Sequence, residues 1–189
     1  MQGYNGQAVV TSGQAIVAAE VTPQENDVRQ LTPMLQQTQA TLAAVGLRAR
    51  VGVVLADAGY WSEDPVTHAD PDRPELLIAT TKDWKQRQAR QAAPAPRGRI
   101  PKHLGGRDRR ERKLLTQRGR RLYRQRSQTV EPVFGQIKAP RGCDRFMQRS
   151  VAAVSAEWKL ICATHNLLKL YRSGRRIPDP RRARASRAN

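Results

Sequence analysis

Val51-Gly52-Val53-Val54-Leu55-Ala56-Asp57 is the stretch on which the fold turns. The apolar run is too short for a typical helix and shows no alternation. It predicts a strand buried on both faces, as in parallel sheets. Asp57 follows at its carboxyl end, where ligand and catalytic groups sit in open α/β sheets. Ala58-Gly59-Tyr60-Trp61 then permit a tight turn. A second buried strand is predicted at Leu76-Leu77-Ile78-Ala79-Thr80, with a short helix over 62–70 between the two. Upstream, the apolar runs 7–10 and 15–20 flank Thr11-Ser12-Gly13-Gln14 and read as a β-hairpin. Thr22-Pro23-Gln24-Glu25 has the form of a helix start with a capping box. Val28, Leu31, Leu35, Leu42 and Val45 recur at helical spacing after it. Thr32-Pro33 interrupts them, so two short helices or one kinked helix is expected, stopping at Gly46. Strands alternating with helices make the fold class α/β.

Charge divides the chain. Residues 1–81 hold four basic and nine acidic residues, whereas 82–189 hold 30 basic and seven acidic, for a net +18 over 189 residues. A strongly basic half rich in arginine, whose planar fork suits phosphate, points to a polyanion such as DNA. Solvated surface charge is the plainer alternative. The length suits one ordinary domain, and 39% hydrophobic residues are too many for a wholly disordered chain. The apolar runs are far too short to cross a bilayer, so no membrane partner is expected. No basic-then-apolar leader opens the sequence, and Cys143 and Cys162 form neither a disulfide framework nor a close metal pair. A cytoplasmic protein is expected.

The organisation predicted is an α/β core over 1–81, a basic flexible insertion over 82–112, helices over 113–172 and a disordered basic tail over 173–189. Val130, Val133, Phe134 and Ile137 form one helical stripe, with a helix start or kink expected near Glu131 because of Pro132. Val151, Val154, Trp158, Ile161, His165 and Leu168 form another.

Two acids stand out. Asp57 ends a buried strand, and Glu131 is the lone acid between Glu111 and Asp144, set among arginines. Carboxylates so placed suit Mg²⁺, which takes oxygen ligands and substrate phosphate. Equally, Asp57 could be a turn former and Glu131 a cap or a salt-bridge partner. His165 reads as a core histidine, His68 and His103 as surface residues, and Trp61 as sheet packing or a stacking platform for a base. Cys143 reads as a surface thiol and Cys162 as a core one.

Glu131-Pro132-Val133-Phe134-Gly135-Gln136-Ile137-Lys138, with Tyr123 and Arg126 before it, resembles the C-terminal signature of DDE transposases of bacterial insertion sequences. Gly3–Val10 resembles the hairpin of that domain, Ala56–Tyr60 its second catalytic aspartate motif, and Trp158–Leu170 its closing helix. The resemblance spans about residues 3–171. It implies a ribonuclease-H-like transposase catalytic domain with C-terminal helices, performing Mg²⁺- (or Mn²⁺-) dependent strand cleavage and strand transfer. By it, Asp57 and Glu131 would be catalytic metal ligands, and Tyr123, Arg126 and Lys138 would contact phosphates of the transposon ends. Four residues separate Arg126 from Glu131, one more than is commonest in the family. The family's first catalytic aspartate lies on a central strand before the hairpin, and none of Glu20, Glu25 or Asp27 replaces it by position. The expectation is therefore a domain truncated at its N-terminus: a C-terminal transposase fragment, inactive alone, acting as a homo-oligomer or with full-length transposase. The alternatives are a non-catalytic DNA-binding regulator and a decayed remnant.

Overall fold

The computed structural model describes residues 3–48, 50–61, 74–81 and 83–174. The hairpin forms as expected: β1 (Asn5–Val10) pairs antiparallel with β2 (Ile16–Thr22), with a shift of register between Val9 and Val10. The helix after it differs from the expectation. Residues 23–30 do not form one, and the Thr22 hydroxyl instead accepts from the Gln24 N–H at 3.1 Å, a local turn. A single helix, α1 (Leu31–Ala44), follows. Pro33 falls in its first turn, where backbone N–H groups have no partner within the helix, so it neither kinks nor breaks it. Gly46 ends the segment at φ 74°, as expected of a stop glycine.

β3 (Val53–Ala56) and β4 (Glu75–Ile78) pair in parallel, Val53 opposite Glu75 through Ala56 opposite Ile78. The parallel pair was legible, but burial on both faces of β3 was not. Its first three residues are only half-buried, because among the described residues one of its edges has no strand beside it. The sheet is split: β1 and β2 form one pair, β3 and β4 another. The expected helix over 62–70 lies outside the described residues.

The region expected as a flexible insertion contains helices. α2 (Trp84–Ala92) is capped by Asp83, whose carboxylate accepts from the N–H groups of Lys85 and Gln86 at 2.9 and 3.2 Å. α3 (Gly106–Leu115) follows it. Their polarity hid them, since neither carries a wide apolar stripe. Arginine supplies the fixing instead. Arg120 donates to the carbonyls of Gln91 and Ala93 at the end of α2, at 2.6 and 2.9 Å. Arg107 reaches Thr80 O at 3.0 Å and Arg112 reaches Arg97 O at 2.6 Å. Arg90 pairs with Glu111.

α4 (Gln117–Lys138) runs unbroken through Pro132, so Glu131 lies within a helix rather than at its start. A proline leaves the carbonyl four residues earlier without its helical donor. That carbonyl, of Gln128, accepts the Gln14 side-chain amide at 3.0 Å. α5 (Val151–Arg172) begins where Ser150 caps Ala153 N–H. Its buried face is Val154, Trp158, Cys162 and His165, with Cys162 in the place expected of Ile161 and with Val151 and Leu168 exposed. The main core joins Ile16, Ala19 and Val21 of β2 to Val133 and Ile137 of α4 and to Val154, Trp158 and Cys162 of α5. Trp158 stacks on Phe134 at 5.8 Å, and its indole N–H donates to Gln7 O at 2.8 Å. His165 is buried against Gln14 O at 3.2 Å, a core histidine. Burial raises the Cys162 thiol to about 12, while Cys143 is half-buried against the core rather than on the surface. His103 is exposed, and His68 and the tail from 175 lie outside the described residues.

Candidate functional site

Asp57 stands at the carboxyl end of β3, as read from the sequence. It caps a one-turn 3₁₀ helix (Ala58–Tyr60), its Oδ1 accepting from Gly59 N–H at 2.9 Å. The plain role of turn former is thus real. Its other oxygen faces α4, where Arg126 Nη2 lies 3.2 Å from Oδ2. Arg126 Nη1 lies 3.7 Å from Glu131 Oε1, so one guanidinium joins the two predicted acids. Glu131 is 63% exposed and in a salt bridge, not at a buried helix start. Arg126 and Glu131 sit five residues apart in α4, about 140° around its axis, so the reach of the arginine rather than a shared helix face brings them together.

Tyr123, one turn before Arg126, donates its hydroxyl to Ala56 O at 3.2 Å and so ties α4 to the end of β3. Burial raises its phenol, which keeps it a donor. Tyr123 and Arg126 therefore reach the end of β3 at Ala56 and Asp57, and Glu131 joins them only through Arg126. Lys138 does not join them. It is exposed at the last turn of α4, beside a second cleft of about 640 Å³ that Arg145 and Arg149 also line.

Sequence reasoning missed Asp27. Positional reasoning set it aside, but the turn after β2 folds back and brings it to Asp57. Its Oδ1 accepts from Asn5 Nδ2 at 2.7 Å and Gln7 Nε2 at 2.6 Å. A Cβ on Gly59 would stand 2.9 Å from Asp27 Oδ2 and 3.0 Å from Asp57 Oδ1, so the two carboxylates flank that glycine. Tyr60 donates to Gln7, and its phenol is raised by burial and then by the neighbouring charges of Asp27 and Asp57. No signal along the chain marks Asp27, because its contacts run to β1, 20 and 22 residues away. Trp61 carries Arg110 over its ring at 4.8 Å, so a cation, rather than the sheet, covers that face.

Residues 100–171 match the family model of the transposase DDE domain. The match supports a DDE transposase family. It takes in part of the residues before α3, then α3, α4 and nearly all of α5, with Tyr123, Arg126, Glu131 and Lys138. Asp57 and the hairpin lie outside it. No curated protein and no solved structure matches the chain.

The transposase DDE domain generally uses divalent metals, and the residues here can be set against that need. Among the described residues, no three histidines, cysteines or acids converge into a ready metal cluster. The nearest donors, Asp57 and Asp27 across Gly59, with Glu131 on the far side of Arg126, are all carboxylates. They fit in kind a hard cation that keeps waters and takes phosphate oxygens. Arg126 already neutralises two of them. Among the described residues, no helix is long and apolar enough to cross a membrane.

Proposed function

We propose that the chain is the C-terminal part of an insertion-sequence transposase, with a ribonuclease-H-like sheet, and that by itself it binds DNA without transferring strands. The observation that carries this is the joining of Asp57, at the end of β3, to Glu131, in the family-matched α4, through Arg126. In the intact enzyme, water would attack a phosphodiester at the transposon end and release a 3′-hydroxyl. That hydroxyl would then attack a target phosphodiester, forming one ester and freeing another 3′-hydroxyl. Asp57 and Glu131 would hold Mg²⁺ or Mn²⁺, which supplies activation of the attacking oxygen and neutralisation of the leaving one. Arg126 would turn from the carboxylates to a DNA phosphate, Tyr123 would keep the end of β3 against α4, and Lys138 would bind phosphate two turns along the helix.

The split sheet favours the reading of no transfer by the chain alone, since among the described residues the two strand pairs are not joined. DNA binding needs less. Arg121, Arg124, Arg145, Arg149 and Lys138 are exposed. Assembly as a homo-oligomer, or with a full-length transposase in the cytoplasm at the nucleoid, completes the proposal.

The test is fluorescence anisotropy of a labelled terminal-repeat duplex over a salt series, with a strand-nicking assay on the same samples in Mn²⁺. Expected are a steep fall of affinity with salt, full binding by Glu131→Gln, and no nicking. Absence of binding at low salt would sink the DNA reading. Mn²⁺-dependent nicking that disappears in Asp57→Ala would sink the claim of inactivity.

A further inference from the structure

α5 is apolar on two opposite sides. Val154, Trp158, Cys162 and His165 form its buried face. A second row, Ala153, Ala156, Leu160, Ala163, Leu167 and Leu170, advances by alternate steps of three and four residues. At about 100° per residue, its centre lies about 180° from the buried face. Leu160 is 65% exposed and Leu167 61%, Ala156 and Ala163 are exposed, and Ala153 and Leu170 are half-buried. Steps averaging about 3.5 residues are those of a seam between two helices.

The polar residues beside this row are drawn away from it. Lys159 pairs with Glu20 of β2 at 3.1 Å. Glu157 accepts the N–H groups of Met147 and Gln148 at 2.9 and 3.0 Å. Thr164 donates to Ile161 O at 2.9 Å, and Asn166 bonds both main-chain groups of Ile16, at 2.8 and 2.7 Å. The outward strip is left to alanine and leucine. A helix that meets water on one side carries a polar outer face, and one that is apolar on both sides is covered on both. Among the described residues nothing covers the outer side of α5.

The order of side-chain sizes names the occupant. From Ala153 to Leu170 the row reads small, small, large, small, large, large. Against a second copy running antiparallel, about a two-fold axis between Leu160 and Ala163, every leucine meets an alanine: Leu160 on Ala163, Leu167 on Ala156 and Leu170 on Ala153. Such reciprocal contacts are what a two-fold dimer requires. A parallel copy would set leucine on leucine and leave alanine facing alanine across a void. The same axis puts Lys159 opposite Asn166 and Glu157 opposite Thr164, so no like charges meet across the seam. DNA, charged along its length, finds no counterpart on the strip.

We propose that the outer face of α5 is a dimer interface, on which α5 of a second copy of this chain packs antiparallel. The row is about 25 Å long, and its alanines let the helix axes approach to about 8 Å. The strip buries on the order of 500 Å² per copy, against about 800 Å² in a standard interface, so the dimer forms reversibly. The net charge of +18 on each copy opposes association, and added salt therefore strengthens the dimer. DNA binding has the opposite salt dependence. The proposal gives the homo-oligomer a surface, yet it rests on this helix face and not on the transposase reading.

The test is sedimentation equilibrium of the full chain without DNA, at low and high salt. Expected is a reversible dimer at concentrations on the order of tens of micromolar, tightened by salt. Leu160→Glu should raise its dissociation constant about tenfold or more and leave the melting temperature of the monomer unchanged. Orientation is read by cysteine pairing. Chains with Ala156→Cys and chains with Leu167→Cys should form a disulfide with each other when mixed under oxidising conditions, and neither should link to itself; this holds whether or not Leu160→Glu folds. The proposal is overturned if the wild type stays monomeric, if Leu160→Glu dimerises as the wild type does, or if each cysteine variant links to itself. Binding of the wild type, but not of Leu160→Glu, to phosphatidylcholine vesicles would overturn it too, by making a lipid surface the occupant. Anisotropy of the terminal-repeat duplex on the same samples separates the two claims. A dimer without DNA binding would keep the interface and remove the DNA reading, and a monomer that binds DNA would do the opposite.

Discussion

Arg126, in the middle of α4, reaches the end of β3 and bonds Asp57 Oδ2 at 3.2 Å. Its other nitrogen faces Glu131 at 3.7 Å, so the guanidinium sits where a cation shared by the two acids would sit. Arginine and metal then compete. Arg126→Gln is expected to tighten Mn²⁺ binding in the absence of DNA by about two- to fivefold, equivalent to about 0.5–1 kcal/mol for a partly exposed pair. Electron paramagnetic resonance of free Mn²⁺ measures it. Unchanged or weaker binding would show that Arg126 does not guard the carboxylates.

Gly59 separates Asp27 from Asp57. The methyl of Gly59→Ala would stand 2.9 and 3.0 Å from their oxygens. Both are ends of side chains, which can move at little cost, so unfolding free energy is expected to fall by less than about 1 kcal/mol. The carboxylates would part, and Mn²⁺ affinity would drop severalfold. A large loss of stability with metal affinity unchanged would contradict this account, and urea denaturation beside a Mn²⁺ titration reads both.

These two sites show what the sequence carried and what it did not. Val53–Ala56 and Leu76–Ile78 were legible because each is a short unbroken apolar run, and α5 because its buried face repeats at helical spacing. The position of Asp57 followed from the strand before it. Asp27 was illegible because only a turn folding back onto Asn5 and Gln7 gives it a place. α2 and α3 were missed for another reason. They are held by arginines bonded to carbonyls, such as Arg120 on Gln91 and Ala93, and such bonds leave no periodic apolar trace. The Gln128 carbonyl that Pro132 leaves without a helical donor is met by Gln14, 114 residues away.

Those same arginines divide into two groups with different expected effects. Arg124 is exposed, whereas Arg120 is spent on the end of α2. Arg124→Ala should lower the slope of log affinity against log salt for duplex DNA by about 0.9, with thermal stability unchanged. Arg120→Ala should leave the slope alone and lower stability by about 1–2 kcal/mol, since it uncovers helix-end carbonyls. Equal salt slopes in the two variants would mean that surface exposure does not mark the DNA contacts.

Glu75 pins β4 to the helical layer. Its carboxylate meets Lys113 at 2.8 Å and Arg118 at 2.7 Å. Partial burial raises its pKa, but the hydrogen bonds and charges of Lys113 and Arg118 outweigh that, and the net shift is downward. A depressed pKa means the stabilisation is complete above the ordinary glutamate value of about 4.3 and is lost as pH falls through the lower folded value. Both cations are about half exposed, so the contribution is about 1 kcal/mol or less. Unfolding curves of the wild type and Glu75→Gln should differ at pH 7 and converge toward pH 3. A gap that widened on acidification would reverse the sign and discard the assignment.

The junction of α3 and α4 leaves no room for a side chain at Gly119. Thr116 caps α4 by accepting from Gly119 N–H at 3.0 Å, and this draws Gly119 against the last turn of α3. A Cβ there would stand 2.1 Å from Lys113 O and 2.7 Å from Leu114 O. Backbone carbonyls cannot swing aside as carboxylates can, so Gly119→Ala must push the two helices apart and strain the Glu75 pairs with Lys113 and Arg118. A loss of about 2–3 kcal/mol is expected. Gly135, in the same helix, has nothing within 4 Å of its added carbon. Gly135→Ala should therefore stabilise by about 0.5–1 kcal/mol through helix propensity alone. Denaturant melts of the pair give the contrast directly. If both substitutions shifted stability in the same direction, the close approach at Gly119 would not be what sets the angle between α3 and α4.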